Sequence, residues 1–124
     1  MIHLTLPYPP TTNNLFMNVG KGRIRTKKYD AWIAEATRHV RQQAPQPITG
    51  LYSLTLKVWR PDRRRRDASN LIKAVEDLLV SLGVTPDDCD AGRVSAEWVS
   101  AEPRKDAFAY VELTPFTYAE QDAT

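Results

Sequence analysis

The chain has 124 residues, 42% hydrophobic and 26% charged, a composition that excludes a disordered or fibrous protein and suits one domain with one modest core. No apolar run approaches the ~20 residues that a membrane span needs. The net charge of +2 hides a polar split: residues 1–66 carry 13 Lys/Arg against 3 Asp/Glu, and residues 67–124 carry 4 against 12.

In residues 2–6, Ile2, Leu4 and Leu6 alternate with His3 and Thr5, the period of a half-buried strand. Pro7, Pro9 and Pro10 end it, and residues 11–26 read as a basic, polar loop. Tyr29, Trp32, Ile33, Ala36 and Val40 fall at helical spacing from Lys28 to about Gln43, with Thr26 as N-cap and Pro45 beyond the end. A second strand is expected at about 51–59, with Tyr52, Leu54, Leu56 and Val58 on one face. A second helix is expected at about 68–82, with a stripe of Leu71, Val75, Leu78, Leu79 and Leu82 and Gly83 as its stop. Strands at about 93–99 and 107–113 follow, and the short SAEPRKD connection suggests that they pair antiparallel. The expected fold is α/β of the α+β type: a single domain over residues 1–115, in the order β-α-β-α-β-β, with a mixed sheet and two main helices. Residues 116–124 read as a polar tail.

MIHLTLPYPP has no basic region followed by a long apolar one, so a secretory leader is not expected. The lone Cys89 cannot close an internal disulfide, and His3 and His39 give little basis for a zinc site. A cytoplasmic setting, no membrane partner and no small organic cofactor are the corresponding expectations.

The chemistry concentrates in RRRRDASNLIKAVEDLL, residues 63–79. Four adjacent guanidinium groups, Arg63 to Arg66, repel one another, and a polyanion would relieve that repulsion; a solvated loop is the plain alternative. On a helical projection Asn70, Lys73 and Asp77 share a side away from the leucines. The plain reading is that Asp67 or Ser69 caps the helix and that Lys73 with Asp77 is a surface i,i+4 pair. Asp87, Asp88 and Asp90 crowd three carboxylates into four positions, which suits either a turn or a hard cation such as Mg²⁺ or Mn²⁺. If Asp67 and the later acids met around one ion beside the arginines, phosphodiester hydrolysis would be the natural reaction.

PYPPTTNN, RRRRDASNLIKAVEDLL and GVTPDD together resemble the RusA family of Holliday junction resolvases, over about residues 4–99. The resemblance implies a small homodimeric, Mg²⁺-dependent endonuclease, of bacterial or phage origin, that binds four-way DNA and nicks two opposing strands, with Mn²⁺ a possible substitute. It implies catalytic Asp67, Lys73 and Asp88, with metal ligation by Asp67, Asp87 and Asp88; Ser69 is a further candidate ligand. On this reading DNA contacts are expected from Arg63, Arg64, Arg65, Arg66, Asn70 and Lys73, and Asn13 either contacts DNA or makes the turn after Pro10. Ser69 stands where the family pattern commonly has a second aspartate. Either its hydroxyl ligates directly or through water, or Asp87, Asp90 or Asp77 supplies the carboxylate, or the protein binds junctions and cuts them poorly. A nuclease for other branched DNA, and an interaction domain with an incidental arginine loop, are the remaining alternatives.

Overall fold

The computed structural model describes residues 1–118; the rest of the expected tail, 119–124, lies outside the described residues. The strands are β1 (Ile2–Pro7), β2 (Phe16–Val19), β3 (Gly22–Arg25), β4 (Tyr52–Val58), β5 (Ala91–Trp98) and β6 (Phe108–Pro115), and the helices are α1 (Lys27–Gln43) and α2 (Ile72–Ser81). One mixed sheet has the order β1-β6-β4-β5, and β2 and β3 form a separate antiparallel ribbon.

Alternation decides which face of the sheet is buried. Leu4 and Leu6 of β1, Leu54, Leu56 and Val58 of β4, and Ala109, Val111 and Leu113 of β6 have no exposed surface. Their register aligns them: Val111 lies opposite Leu4 on one side and Leu56 on the other. The helices contribute Tyr29, Trp32, Ala36 and Val40 from α1, and Ala74, Val75, Leu78 and Leu79 from α2, to the same core. The opposite sheet face carries polar pairs such as Lys57–Glu112 at 2.9 Å and the His3–Tyr110 hydrogen bond at 2.6 Å. This is a sheet covered on one side, as its antiparallel strands permit. We expect Leu56→Ala to cost about 2–5 kcal/mol, since it opens a cavity at the middle of β4, one of the two inner strands. Urea unfolding should show a lower midpoint at unchanged slope, and a loss under about 1 kcal/mol would contradict the packing described.

The expected antiparallel pairing of the last two strands is corrected. β5 runs parallel to β4, and β6 sits between β1 and β4. The segment after β5 therefore crosses over β4 instead of closing a hairpin. The cause lies in composition: β6 has three core residues to bury and takes an inner place, while Arg93 and Glu97 keep β5 at the edge. β4, α2 and β5 thus form a crossover unit joining parallel strands.

Residues 11–26, read as a loop, hold a short turn at Thr12–Asn14 and the β2–β3 ribbon. Every ribbon residue is exposed, so no buried-face alternation marked it. Thr26 caps α1 as expected, its hydroxyl accepting from the Tyr29 N–H at 3.1 Å. Residues 68–71 are a tighter 3₁₀ turn, and α2 proper begins at Ile72. Gly83, at φ +74°, ends the helix in the left-handed region that glycine occupies without steric cost. Phe116 lies over Gly92, where any Cβ would collide with the ring, and its N–H bonds the Leu51 carbonyl at 3.0 Å.

Candidate active site

After β4 the chain turns at Pro61–Asp62, runs through the arginines and enters the Ala68–Leu71 turn. Thr11, Arg60, Arg65, Arg66, Asp67, Asn70 and Trp98 line an open cleft of about 510 Å³ there. The Thr12 hydroxyl donates to the Asn70 carbonyl at 3.0 Å, fastening the N-terminal turn to the start of α2. Two of the three motifs are thereby joined. Asn13 lies exposed in that N-terminal turn.

The four arginines have different surroundings. Arg66 makes two bonds to the Asp62 carboxylate, at 2.5 and 2.9 Å, and its side chain is only 23% exposed. That pairing, with the Arg64 N–H, holds the Asp62 carboxyl below the usual range and raises Arg66 further. Arg63 reaches Glu102 at 2.6 Å. The Arg64 side chain is open to solvent, its Nε 4.0 Å from Asp62 while its backbone N–H donates to that carboxylate at 2.9 Å, and Arg65 is an exposed wall of the cleft. Asp62 thus neutralises part of the repulsion and fixes Arg66 in place.

Asp67 occupies the N-cap position of the Ala68–Leu71 turn, yet its side chain makes no capping hydrogen bond. Its carbonyl alone serves the turn, accepting from the Asn70 N–H at 3.0 Å. The helix-capping explanation for this aspartate therefore fails, and its exposed carboxylate lines the cleft. Ser69 is exposed and likewise makes no cap.

The acidic loop is held from below. Tyr52, fully buried in β4, donates its hydroxyl to the Asp87 carbonyl at 3.1 Å. Asp87 starts the Asp88–Asp90 turn and accepts from the Cys89 N–H. The adjacent Asp87 and Asp88 carboxyls act on each other, the interaction lowering the first and raising the second. Lys73 pairs with Asp77 at 3.2 Å, and Asp88 and Glu76 add to the field that keeps its ammonium charged. Burial, then Asp88, raises the Glu76 carboxyl.

The structure thus gathers Arg65, Arg66, Asp67 and Asn70 in one cleft, and Lys73, Glu76, Asp77 and Asp88 in a neighbouring electrostatic cluster. Among the described residues no three His, Cys, Asp or Glu side chains are grouped as a ready cation cage. The donor chemistry still fits a hard divalent ion. Asp67, Asp87 and Asp88 are exposed oxygen donors, and Mg²⁺ is commonly held by one or two carboxylates plus substrate phosphate.

Sequence reasoning missed Arg60, Asp62, Thr11 and Trp98 as parts of this region. Arg60 had a readable signal, since it continues the inward alternation of Leu54, Leu56 and Val58 with a charge. Asp62 and Arg66 are four apart, but no helix made that spacing meaningful. Phe16 packs edge-on against Tyr29 at 5.8 Å with Arg23 over its face at 4.5 Å, so it ties the ribbon to α1. Among the described residues no helix is long and apolar enough to cross a membrane.

A family model described as endodeoxyribonuclease RusA matches residues 7–106. The crossover junction endodeoxyribonuclease RusA of Escherichia coli strain K12 is 33% identical over 88 residues, covering 68% of this chain and 72% of that one. The protein of that name from Enterobacteria phage 82 is 33% identical over 89 residues, covering 69% and 72%. The family match spans the Thr11 turn, the arginine cleft and the acidic loop, so this chain belongs to the RusA family of endodeoxyribonucleases.

Proposed function

We propose that this protein is a structure-selective, Mg²⁺-dependent endonuclease that resolves four-way DNA junctions by paired, symmetric nicks. The observation that carries the reading is the uncapped Asp67 carboxylate standing among arginines in an open cleft. An aspartate that neither caps nor pairs is available for chemistry, and guanidinium walls hold a phosphate beside it. Arg65 and Arg66 would take flanking phosphates without reading bases, and Asn13 and Asn70 would contact the strand at the cleft edge. Lys73, held protonated by its acidic neighbours, would offset charge developing on the phosphate oxygens. Asp67, Asp87 and Asp88, with Ser69 directly or through water, would hold the divalent ion, Mg²⁺ or Mn²⁺. When bound, the ion supplies phosphate polarisation and an acidified water. The products would carry 5′-phosphate and 3′-hydroxyl ends.

A homodimer follows from the reaction, because two equivalent nicks call for two equivalent sites, which a twofold axis provides. The test compares labelled four-way, three-way and linear DNA in Mg²⁺. Paired nicks confined to the four-way substrate are expected. Equal cutting of three-way DNA would shift the reading to a general branched-DNA nuclease, and junction binding without nicking, even in Mn²⁺, would reject the enzyme.

Ser69 bears on the strength of that activity. A neutral hydroxyl in place of a carboxylate removes one charge from the ion's surroundings. Ser69→Asp is expected to lower the Mg²⁺ concentration that gives half-maximal nicking by several-fold, read from a titration at fixed junction. An unchanged or higher requirement would show that position 69 is not a ligand.

A further inference from the structure

We infer that Arg60, seated on the indole of Trp98, is a phosphate-binding residue of the cleft that Asp67 lines. The inference rests on the branched-DNA reading above and assigns it a contact outside the arginine run.

Arg60 lines the cleft together with Arg65, Arg66 and Asp67. Its guanidinium carbon lies 4.7 Å from the Trp98 ring centroid. Trp98 is itself fixed, its indole N–H donating to the Arg66 carbonyl at 3.3 Å. The Arg60 backbone is held too, since its carbonyl accepts from the Arg104 N–H at 2.8 Å. The residue is therefore positioned at both ends without using a guanidinium N–H.

The donors are the point. Among the described residues Arg60 makes no side-chain hydrogen bond and no ion pair, and its Nε is buried without a partner. Arg66 and Arg63, by contrast, spend donors on Asp62 and Glu102. The buried Nε shows that, among the described residues, no protein acceptor competes for this guanidinium, which is held by the Trp98 ring alone. An aromatic face holds a guanidinium in place while leaving its planar fork free for an oxyanion. The nearby carboxylates do not supply that anion: Asp62 is already committed to Arg66, and among the described residues Asp67, in the same cleft, forms no ion pair with Arg60. The Nη donors of Arg60, which unlike its Nε are not buried, border the cleft, and a phosphate of the DNA backbone has the charge and the oxygen geometry to meet them.

The Tyr8 hydroxyl is also buried without a partner and lies within the field of Arg60 and Arg66.

The experiment measures junction affinity without divalent ion, so that cutting cannot intrude, across a series of salt concentrations. Arg60→Gln keeps much of the side-chain stem and removes the charge. Each phosphate contact contributes about 0.9 to the slope of log K against log salt. Arg60→Gln is expected to reduce that slope by about one and to weaken binding at least several-fold at low salt. Arg60→Lys should recover the charge but only part of the affinity, because an ammonium lacks the fork. Arg41→Gln, in the last turn of α1 and outside the cleft, is expected to leave the slope at its wild-type value. A slope for Arg60→Gln equal to wild type, in protein whose melting temperature is unchanged, would overturn the inference alone. A melting temperature lowered by Arg60→Gln with an unchanged slope would also overturn it, leaving Arg60 a packing residue. Wild-type protein without affinity for the junction would overturn the proposed function and this inference together.

Discussion

Asp67→Asn is expected to lower the nicking rate on a four-way junction by at least about 10²–10³-fold, the scale set by losing a key electrostatic group at a reacting centre. The same change should leave folding intact. Asp67 makes no capping bond with its side chain, so the usual cost of about 1 kcal/mol for removing a cap does not arise. Junction affinity should hold or rise, because a negative charge leaves a cleft walled by Arg60, Arg65 and Arg66. Rates, affinity and melting temperature measured on the same preparation separate these effects. Nicking within a few-fold of wild type would remove Asp67 from the chemistry. Weaker binding would show that its carboxylate does not face phosphate.

Lys73→Ala is the second large effect. The Lys73–Asp77 pair lies on the helix surface, with side chains 49% and 35% exposed. Such pairs contribute about 0.2–0.5 kcal/mol, so stability should barely change. If the ammonium acts on charge that appears only in the transition state, the nicking rate falls by about 10²–10³-fold while junction affinity stays within a few-fold. Single-turnover rates at saturating enzyme, beside affinities without metal, make the comparison. Equal losses in rate and affinity would make Lys73 a binding residue.

How far the sequence could be read depended on whether a signal was local. The core strands were legible because Leu4–Leu6 and Leu54–Leu56–Val58 alternate, and burial on one sheet face enforces that alternation. The α1 stripe and its Thr26 cap were legible for the same reason. Strand order was not, because a short connection suits a hairpin as well as a crossing over β4. The β2–β3 ribbon was hidden because no residue in it is buried. Within the candidate site, the arginine run and Asp67 stood out by their crowding. The Asp62–Arg66 pair and the Arg60–Trp98 stack did not, since each depends on how the turn after β4 closes. Trp98 comes from the edge strand, which was expected to pair with β6 and pairs with β4 instead.

Mn²⁺ located by anomalous diffraction in crystals of the protein with junction DNA is the most direct test of the central claim. Asp67 and the Asp87–Asp88 pair should then serve one ion at a phosphate. The expected result is an ion with oxygens of Asp67 and Asp88 as direct ligands at about 2.0–2.2 Å, a distance usual for small hard cations. An ion bound to neither aspartate, with the cleft and the acidic loop standing apart on the DNA, would contradict it.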